Sequence, residues 1–286
     1  MDVCLIQVPS HAGDYSHPAG RGPSCVIDAG AAELLMSRGI SVVVERAVRH
    51  AAFRDTARSS AEENKAVAAL VGRAVDAGRL PVVLAGSCTA CLGVLGGFHH
   101  AGCGVIWLDA HADFNTPEST ISGFFPGMTA AVMAGHCYSG YWGRIGDNTP
   151  IEEDAIVMIG LRDLSPEAER RRLQASAVRV VEWRNGGPAG DVQARMEELA
   201  RRVRDVYLHI DMDAFDPTVA PGVTDEPVPG GLSLQDAEAI VQATGRHFRI
   251  RAATLATYAP NRDRDDRTLR ALLRLIARLG DYASRC

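Results

Sequence analysis

The chain has 286 residues, of which 47% are hydrophobic and 23% charged, a composition typical of a globular protein. Its formal net charge of −5 gives no electrostatic basis for binding nucleic acid or an anionic membrane surface, so we expect neither partner. No apolar run reaches the roughly 18 residues that a membrane-spanning helix needs, and the N-terminal residues lack the features of a signal peptide. The sequence therefore predicts a cytoplasmic protein.

Short apolar runs alternate with helical patterns along the chain. Eight runs are predicted as strands: 3–8, 40–45, 81–86, 105–109, 155–159, 178–182, 206–210 and 250–254. Eight segments have helical periodicity: 24–37, 61–77, 88–96, 128–134, 166–173, 192–203, 233–244 and 267–279. This alternation predicts one α/β domain over residues 1–286, with three layers in which helices cover both faces of a mostly parallel sheet.

The fourth predicted strand leads into three side chains that can bind a metal. Asp109, His111 and Asp113 are spaced i, i+2, i+4, which places them on one face of an extended chain. The seventh predicted strand ends similarly, in Asp211 and Asp213. If these strands are neighbours, four carboxylates and one imidazole meet in a small volume, and this ligand set suits Mn²⁺, Mg²⁺ or Fe²⁺. The alternative is two separate strand ends with solvated acids.

The two Asp-bearing motifs, in the order in which they follow each other along the chain, resemble those of the ureohydrolases, the family of arginase and agmatinase. The resemblance extends over nearly the whole chain and rests on six segments: 22–23, 84–88, 107–117, 159–163, 211–217 and 227–232. It implies an arginase-like fold, two Mn²⁺ ions per chain, and hydrolysis of a small guanidino amino acid by a water that the ions activate.

The resemblance also assigns roles to the acidic residues of the two motifs. It implies that Asp109 and Asp211 bridge the two ions, and that His111 and Asp213 complete the binding of one of them. Asp113 binds the other ion and has a catalytic role, since it accepts a hydrogen bond from the activated water.

Cys88 stands at the remaining ligand position, where the family has a histidine. A thiolate can bind a metal, and a position near the start of a helix favours the thiolate. Its charge would make the ions poorer Lewis acids. Two alternatives stay open: Cys88 is a buried small residue and the site holds one metal, or Cys88 and Cys91 form a Cys-x-x-Cys redox pair.

Pro126 is a second departure from the family. Arginases carry a proton-shuttling histidine there, near the mouth of the site, and proline cannot transfer a proton. Hydrolysis of arginine needs help in protonating a strongly basic leaving amine, so this loss would impair an arginine hydrolase. His136 lies a helix away and is better explained as a surface or capping residue.

In a third departure, an acid and a hydroxyl are exchanged between two strand ends. Thr257 stands where arginases have a glutamate, and Glu226 stands where they have a threonine. We expect both to contact the substrate, with Glu226 holding the guanidino group from the opposite side as a catalytic residue. The alternative is that Glu226 is a solvated loop acid.

The other end of the substrate is expected to meet three polar residues. Asn115 and Ser122 stand where arginases bind an α-carboxylate, and Asp163 is the acidic residue nearest the α-amine position, where Ser165 replaces the expected aspartate. These residues favour an amino acid as substrate, and they argue against a deacetylase-like enzyme on the same fold.

The departures together favour an N-hydroxyguanidine, which is less basic and more electrophilic than a guanidinium. Cys88 and Pro126 resemble the ureohydrolase branch that converts Nω-hydroxy-L-arginine to hydroxyurea and L-ornithine in D-cycloserine biosynthesis. Lys65 is the only lysine, which indicates a GC-rich genome and suits an antibiotic producer. An arginase, another guanidino-acid hydrolase and a non-catalytic metal-binding relative remain open. The chain ends at Cys286, soon after its last predicted helix, which favours a monomer over a trimer.

Overall fold

The computed structural model describes residues 2–48, 55–98, 100–146 and 149–283, and its strands form one sheet. They are β1 (Asp2–Val8), β2 (Ser41–Arg46), β3 (Leu80–Ala85), β4 (Gly104–Leu108), β5 (Ile156–Leu161), β6 (Arg179–Arg184), β7 (Gly187–Pro188), β8 (Asp205–Asp211) and β9 (Arg249–Ala256). Their order across the sheet is β2-β1-β3-β9-β8-β4-β5-β6-β7. Among these strands, only β7 pairs antiparallel with its neighbour.

Helices pack on both faces of the sheet. They are α1 (Gly22–Asp28), α2 (Ala31–Met36), α3 (Thr56–Asp76), α4 (Ala90–Gly96), α5 (Thr129–Met133), α6 (Ser139–Trp142), α7 (Glu167–Ala175), α8 (Val192–Ala200), α9 (Leu234–His247) and α10 (Arg267–Gly280). Helix α3 contacts α4, while α9 contacts α8 and α10. Both α4 and α9 contact β9, so the two groups lie on opposite faces. The predicted three-layer, mostly parallel α/β domain is confirmed.

Strands β3, β4 and β5 are apolar along their whole length, as expected for a sheet covered on both faces. Every residue of β3, β4 and β5 is buried. The helix predicted at 24–37 is instead two helices, because Gly30 between them has φ +89°, a left-handed conformation that interrupts a helix. Strand β7 and helix α6 are too short to give a periodic pattern in the sequence.

The register of the neighbouring strands β3, β9, β8 and β4 aligns their carboxyl ends with one another. Strands β4 and β8 pair so that Asp109 and Asp211 lie side by side. Strand β9 pairs with β8 and β3, which places Thr257 and segment 86–88 directly beside them. In open α/β sheets, ligands bind outside the carboxyl ends of the strands, so this edge is where a functional site is expected.

Two further features concern the cysteines and the helices of the described residues. Six of the seven cysteines are described, and none of these six forms a disulfide; Cys286 lies outside the described residues. Among the helices of the described ranges, none combines the length and the apolar character needed to cross a membrane.

Candidate metal centre

A small cavity opens at the carboxyl ends of β3, β9, β8 and β4. It is lined by His11, Ser87, Cys88, Asp109, His111, Asp113, Phe124, Pro126, Asp211, Asp213, Thr224, Asp225 and Thr257. The fold thus brings together the six residues predicted as metal ligands, although they come from three separate segments of the chain. Their assignment as ligands remains a prediction.

His111 lies between two carboxylates on one side of the cavity. Its Nδ1 atom is 3.0 Å from Oδ2 of Asp213 and 3.4 Å from Oδ1 of Asp109. The indole N–H of Trp107 donates to Oδ2 of Asp109 at 2.9 Å, and the backbone N–H of Ala110 donates to Oδ1 of Asp213 at 3.1 Å. These bonds fix the orientation of both carboxylates before any ligand binds.

Asp211 is held from the other side by Cys88 and Thr257. The Cys88 thiol donates to Oδ2 of Asp211 at 2.7 Å, and the Thr257 hydroxyl donates to Oδ1. Thr257 has φ +69°, a conformation rare for a β-branched residue, and its N–H donates to Ala85 O at 2.9 Å. Such backbone strain typically costs about 1–3 kcal/mol and clusters at functional sites. The Thr257 hydroxyl therefore orients Asp211 and is already engaged by it.

Asp113 is positioned by a turn that leads toward α5. Its φ of +48° is tolerated better by aspartate than by most residues, and its backbone oxygen accepts N–H bonds from Ala130 (2.9 Å) and Ala131 (3.2 Å). The next residue, Phe114, donates its N–H to Oε1 of Glu169 at 2.9 Å. The carboxylate of Asp113 is thus fixed through its own backbone.

The negative charge of the cavity's carboxylates is not balanced by the positively charged groups of the protein around them. Burial raises the pKa of Asp109 to about 7, and burial with neighbouring carboxylates raises the pKa values of Asp113 and Asp211 well above their usual range. Although burial opposes it, the ion pair with His111 lowers the pKa of Asp213 to about 2. Burial would lower the pKa of His111, but Asp213 and Asp109 raise it far above 6.5. Such a site attracts cations.

Cys88 is buried beside the carboxylates of the cavity. Burial, and then the charge of Asp211, raise the pKa of its thiol well above the usual value. The thiol donates a hydrogen bond to Asp211, and its binding of a metal as a thiolate remains a prediction.

Two overlapping groups of ligand atoms can each hold a cation. The groups are Asp109, His111 and Asp213, and Cys88, Asp109, His209 and Asp211. Within each group, the ligand atoms lie within 4.8 Å of one another. Asp109 belongs to both groups, and Asp113 lines the cavity outside them. Carboxylate oxygens with imidazole nitrogen suit divalent ions such as Mn²⁺, so the residues present fit a two-metal centre.

A sequence model of the arginase family matches residues 1–280. The chain belongs to the arginase family. Hydrolases of this family act on guanidino C–N bonds and typically bind a binuclear metal centre. The chain is 29% identical to the arginase of Bacillus caldovelox over 97% of both chains, and 31% identical to the non-hepatic arginase 3 of Xenopus laevis over 90% of this chain and 76% of that one.

Solved structures agree with the family assignment. The native arginase of Bacillus caldovelox matches with a TM-score of 0.85 and 26% identity, covering 100% of this chain and 98% of that one. Proclavaminate amidino hydrolase from Streptomyces clavuligerus matches with a TM-score of 0.69, 21% identity and coverage of 99% and 92%, which shows a shared fold.

Arg162 of this arginase-family protein fixes the turn that carries Asp213. Its guanidinium donates to five backbone carbonyl oxygens at 2.7–3.1 Å: those of Gly160, Asp213, Ala214, Phe215 and Val228. The planar fork of an arginine can satisfy several acceptors at once, whereas a lysine ammonium cannot match that geometry. Arg162 thereby ties the end of β5 to the segment that follows β8.

We expect Arg162→Lys to lower the free energy of unfolding by about 2–4 kcal/mol, because several partly buried carbonyl oxygens lose their donors. Chemical denaturation followed by circular dichroism measures this change. Arg184→Lys is the control, because Arg184 is largely exposed and pairs with Glu182 on the surface; such a change usually stays within about 0.5 kcal/mol. Equal stabilities for the two variants would contradict the role given to Arg162.

The residues predicted to bind the amino-acid end of the substrate differ in their exposure to solvent. Asn115 is buried and its Oδ1 accepts the hydroxyl of Ser119 at 2.9 Å, while Ser122 is exposed on the following loop. Asp163 is half exposed at the rim, with Oδ2 3.9 Å from Nε2 of His111. The substrate-binding role of Asn115, Ser122 and Asp163 remains a prediction.

The structure does not bring Glu226 to the cavity. Its side chain is exposed, and the preceding residue, Asp225, lines the cavity instead. The loop between β8 and α9 has no periodicity that fixes which of two adjacent acids points inward. Asp225 is thus the acid of this loop that lines the cavity, and the role of Glu226 remains a prediction.

Two histidines near the centre were not predicted from the sequence. His11 lines the cavity from the loop after β1, and its ring stacks on Phe124 with centroids 5.8 Å apart. His209 lies inside β8 and belongs to the second ligand group. The sequence held one indication of each residue. His11 lies in a Gly-, His- and Pro-rich loop, and His209 interrupts an apolar run.

Proposed function

We propose that this protein hydrolyses Nω-hydroxy-L-arginine to hydroxyurea and L-ornithine, as part of antibiotic biosynthesis of the D-cycloserine type. The observation that carries the proposal is that Cys88 and Pro126 line the same cavity. One stands where the family has a ligand histidine, and the other where arginases have a proton-shuttling histidine. Both changes reduce the capacity for cleaving a strongly basic guanidinium.

The proposed cofactor is two Mn²⁺ ions, held by Cys88, Asp109, His111, Asp113, Asp211 and Asp213. Divalent ions bound there would lower the pKa of a water and neutralise charge that develops on the guanidino group. In this proposal, the Asp113 carboxylate accepts a hydrogen bond from the attacking water. Asp225, which lines the cavity, holds the guanidino group in the role first given to Glu226.

The reaction consumes one water and breaks one bond. The water oxygen bonds to the guanidino carbon, the bond from that carbon to the ornithine Nδ breaks, and the leaving Nδ takes up a proton. An N-hydroxyguanidine is less basic than a guanidine, because its oxygen withdraws electrons, and its carbon is more electrophilic. It needs less assistance from an acid group, which agrees with proline at position 126.

Arginase activity is the second candidate. The relatives named arginase match this chain over nearly its whole length, and this similarity favours L-arginine as substrate. The two candidates differ in their products, since L-arginine gives urea and Nω-hydroxy-L-arginine gives hydroxyurea. Mass spectrometry of products from Mn²⁺-loaded protein, with each substrate in turn, decides between them. No product from either would favour a non-catalytic metal-binding relative.

The monomeric state and the cytoplasmic location also remain proposals. Light scattering of the purified protein tests the first, and a stable trimer or hexamer would contradict it. Fractionation of the source cells tests the second.

A further inference from the structure

His209 is completely buried on β8, two residues before Asp211. It pairs in register with Trp107 of β4, and the two rings stack with centroids 3.7 Å apart and planes inclined by 13°. Trp107 in turn donates to Asp109. His209 therefore lies on the same face of β8 as Asp211, next to the tryptophan that orients Asp109.

The hydrogen bonds of His209 select one tautomer. The hydroxyl of Tyr207 donates to Oγ1 of Thr254 at 2.7 Å, so its oxygen is an acceptor toward Nδ1 of His209, 3.0 Å away. Nδ1 therefore carries the proton and donates it to Tyr207. The other ring nitrogen, Nε2, is left with a lone pair.

Nε2 of His209 has no hydrogen-bond partner among the described residues, although it is shielded from solvent. An unsatisfied buried polar atom costs about 1–3 kcal/mol. His100, another buried histidine, contrasts with it: both of its ring nitrogens meet carbonyl oxygens, of Leu95 at 2.8 Å and Thr149 at 2.7 Å. The free lone pair of His209 thus requires an explanation that the fold alone does not give.

The position of that lone pair supplies the explanation. A ring nitrogen of His209 lies within 4.8 Å of ligand atoms of Cys88, Asp109 and Asp211. Because Nδ1 is engaged by Tyr207, Nε2 is the nitrogen available to a metal. A histidine ligand commonly donates its second N–H to a neighbouring acceptor, which fixes the ring. Tyr207 and Trp107 hold His209 in that way.

We propose that Nε2 of His209 is a metal ligand on the Cys88 side of the centre, supplying the imidazole that Cys88 has replaced. The inference rests on the proposed metal-dependent hydrolase and changes its ligand set. A neutral imidazole adds a ligand atom to this side of the centre without adding negative charge, beside the Cys88 thiol that donates to Asp211.

Binding of Mn²⁺ alone to the full chain tests this assignment. Phenylalanine at position 209 keeps a ring on Trp107 but offers no ligand atom. The parent is expected to bind two Mn²⁺ ions, and His209→Phe to bind one with parent affinity and the second at least about 100-fold more weakly, the upper range for disturbed metal shells. A 100-fold loss corresponds to about 2.7 kcal/mol of lost Mn²⁺-dependent stabilisation. Metal analysis, titration calorimetry and thermal unfolding with and without Mn²⁺ measure these effects.

His100→Phe is the matched control, because His100 is also buried and stacked on a tryptophan, Trp142, with centroids 5.8 Å apart. It is expected to bind two ions with parent affinity, whatever its own stability. Tyr207→Phe removes the acceptor for Nδ1 but keeps the imidazole, so two ions should still bind, the second about 10-fold more weakly. If His209 had only a structural role, Mn²⁺ would stabilise His209→Phe and Tyr207→Phe as much as it stabilises the parent.

The outcomes separate this inference from the proposed function. Two ions bound with parent affinity by His209→Phe would overturn the role of His209 and leave the two-metal hydrolase intact. A parent chain that binds no Mn²⁺ would overturn both. Loss of only the second ion in His209→Phe supports both.

Discussion

Replacing Asp109 by alanine is expected to remove both metal ions and to lower hydrolysis by at least about 10³-fold. Asp109 belongs to both ligand groups of the cavity, so its loss takes one carboxylate from each. Metal ions contribute several kcal/mol to hydrolytic transition states, and each 1.36 kcal/mol corresponds to about tenfold in rate. Metal analysis after Mn²⁺ loading measures the first effect, and product formation measures the second.

Asp205→Asn serves as the control for that experiment. Asp205 lies at the opposite end of β8 and forms an exposed ion pair with Arg249 and a partly buried one with Arg251. Ion pairs near the surface contribute about 0–1 kcal/mol to stability. Asp205→Asn should keep both ions and full activity. Two ions retained by Asp109→Ala would show that the ligand groups do not share Asp109.

The meeting of Asp109 and Asp211 follows from simple sequence rules. Apolar runs that end in acids at i, i+2 predict buried strands with ligands at their ends, and a parallel sheet aligns those ends. The sequence does not state that β4 and β8 are neighbours, because strand order depends on contacts between residues about a hundred positions apart. The structure supplies that order and makes the acidic groups one site.

Loop side chains were less predictable than strand ends. Asp225 rather than Glu226 lines the cavity, and no local pattern separates two adjacent acids in an irregular segment. The contacts of Arg162 could not be predicted from the sequence either. The carbonyl oxygens that its guanidinium binds come from three segments that only the folded chain brings together.

The role of His209 could not be predicted from the sequence for a different reason. His209 stands in an apolar strand, where a lone histidine is usually a satisfied core residue. Its partner Tyr207 is two residues away on the same face of the strand, but the partner Trp107 and the neighbouring Cys88 come from other strands and segments. The unpaired Nε2 that marks His209 as a ligand candidate exists only in three dimensions.

Nω-hydroxy-L-arginine is expected to be turned over with a kcat/KM at least about 100-fold higher than that of L-arginine, the lower end of what general acid catalysis usually contributes. Pro126 offers no proton at the mouth of the cavity. His11 does not replace the missing histidine as an acid, because burial and then the charge of His17 lower its pKa to about 4, which leaves it neutral near pH 7. Both substrates release the same ornithine amine, so the difference is expected to come from the guanidino group. The N-hydroxyguanidine is less basic and its carbon more electrophilic, so it needs less assistance from an acid than the guanidinium of L-arginine does.

Cys88→His tests whether the ligand or the proton donor limits the reaction with L-arginine. The variant restores the family's histidine beside Asp211, yet kcat/KM for L-arginine should stay well below that for Nω-hydroxy-L-arginine, because Pro126 is unchanged. Steady-state kinetics with both substrates, for the parent and for Cys88→His, measure the ratio, and Arg184→Lys controls for substitution as such. Similar rates with both substrates in the parent would mean that proton delivery is not limiting, and the protein would then be an arginase with an unusual metal centre.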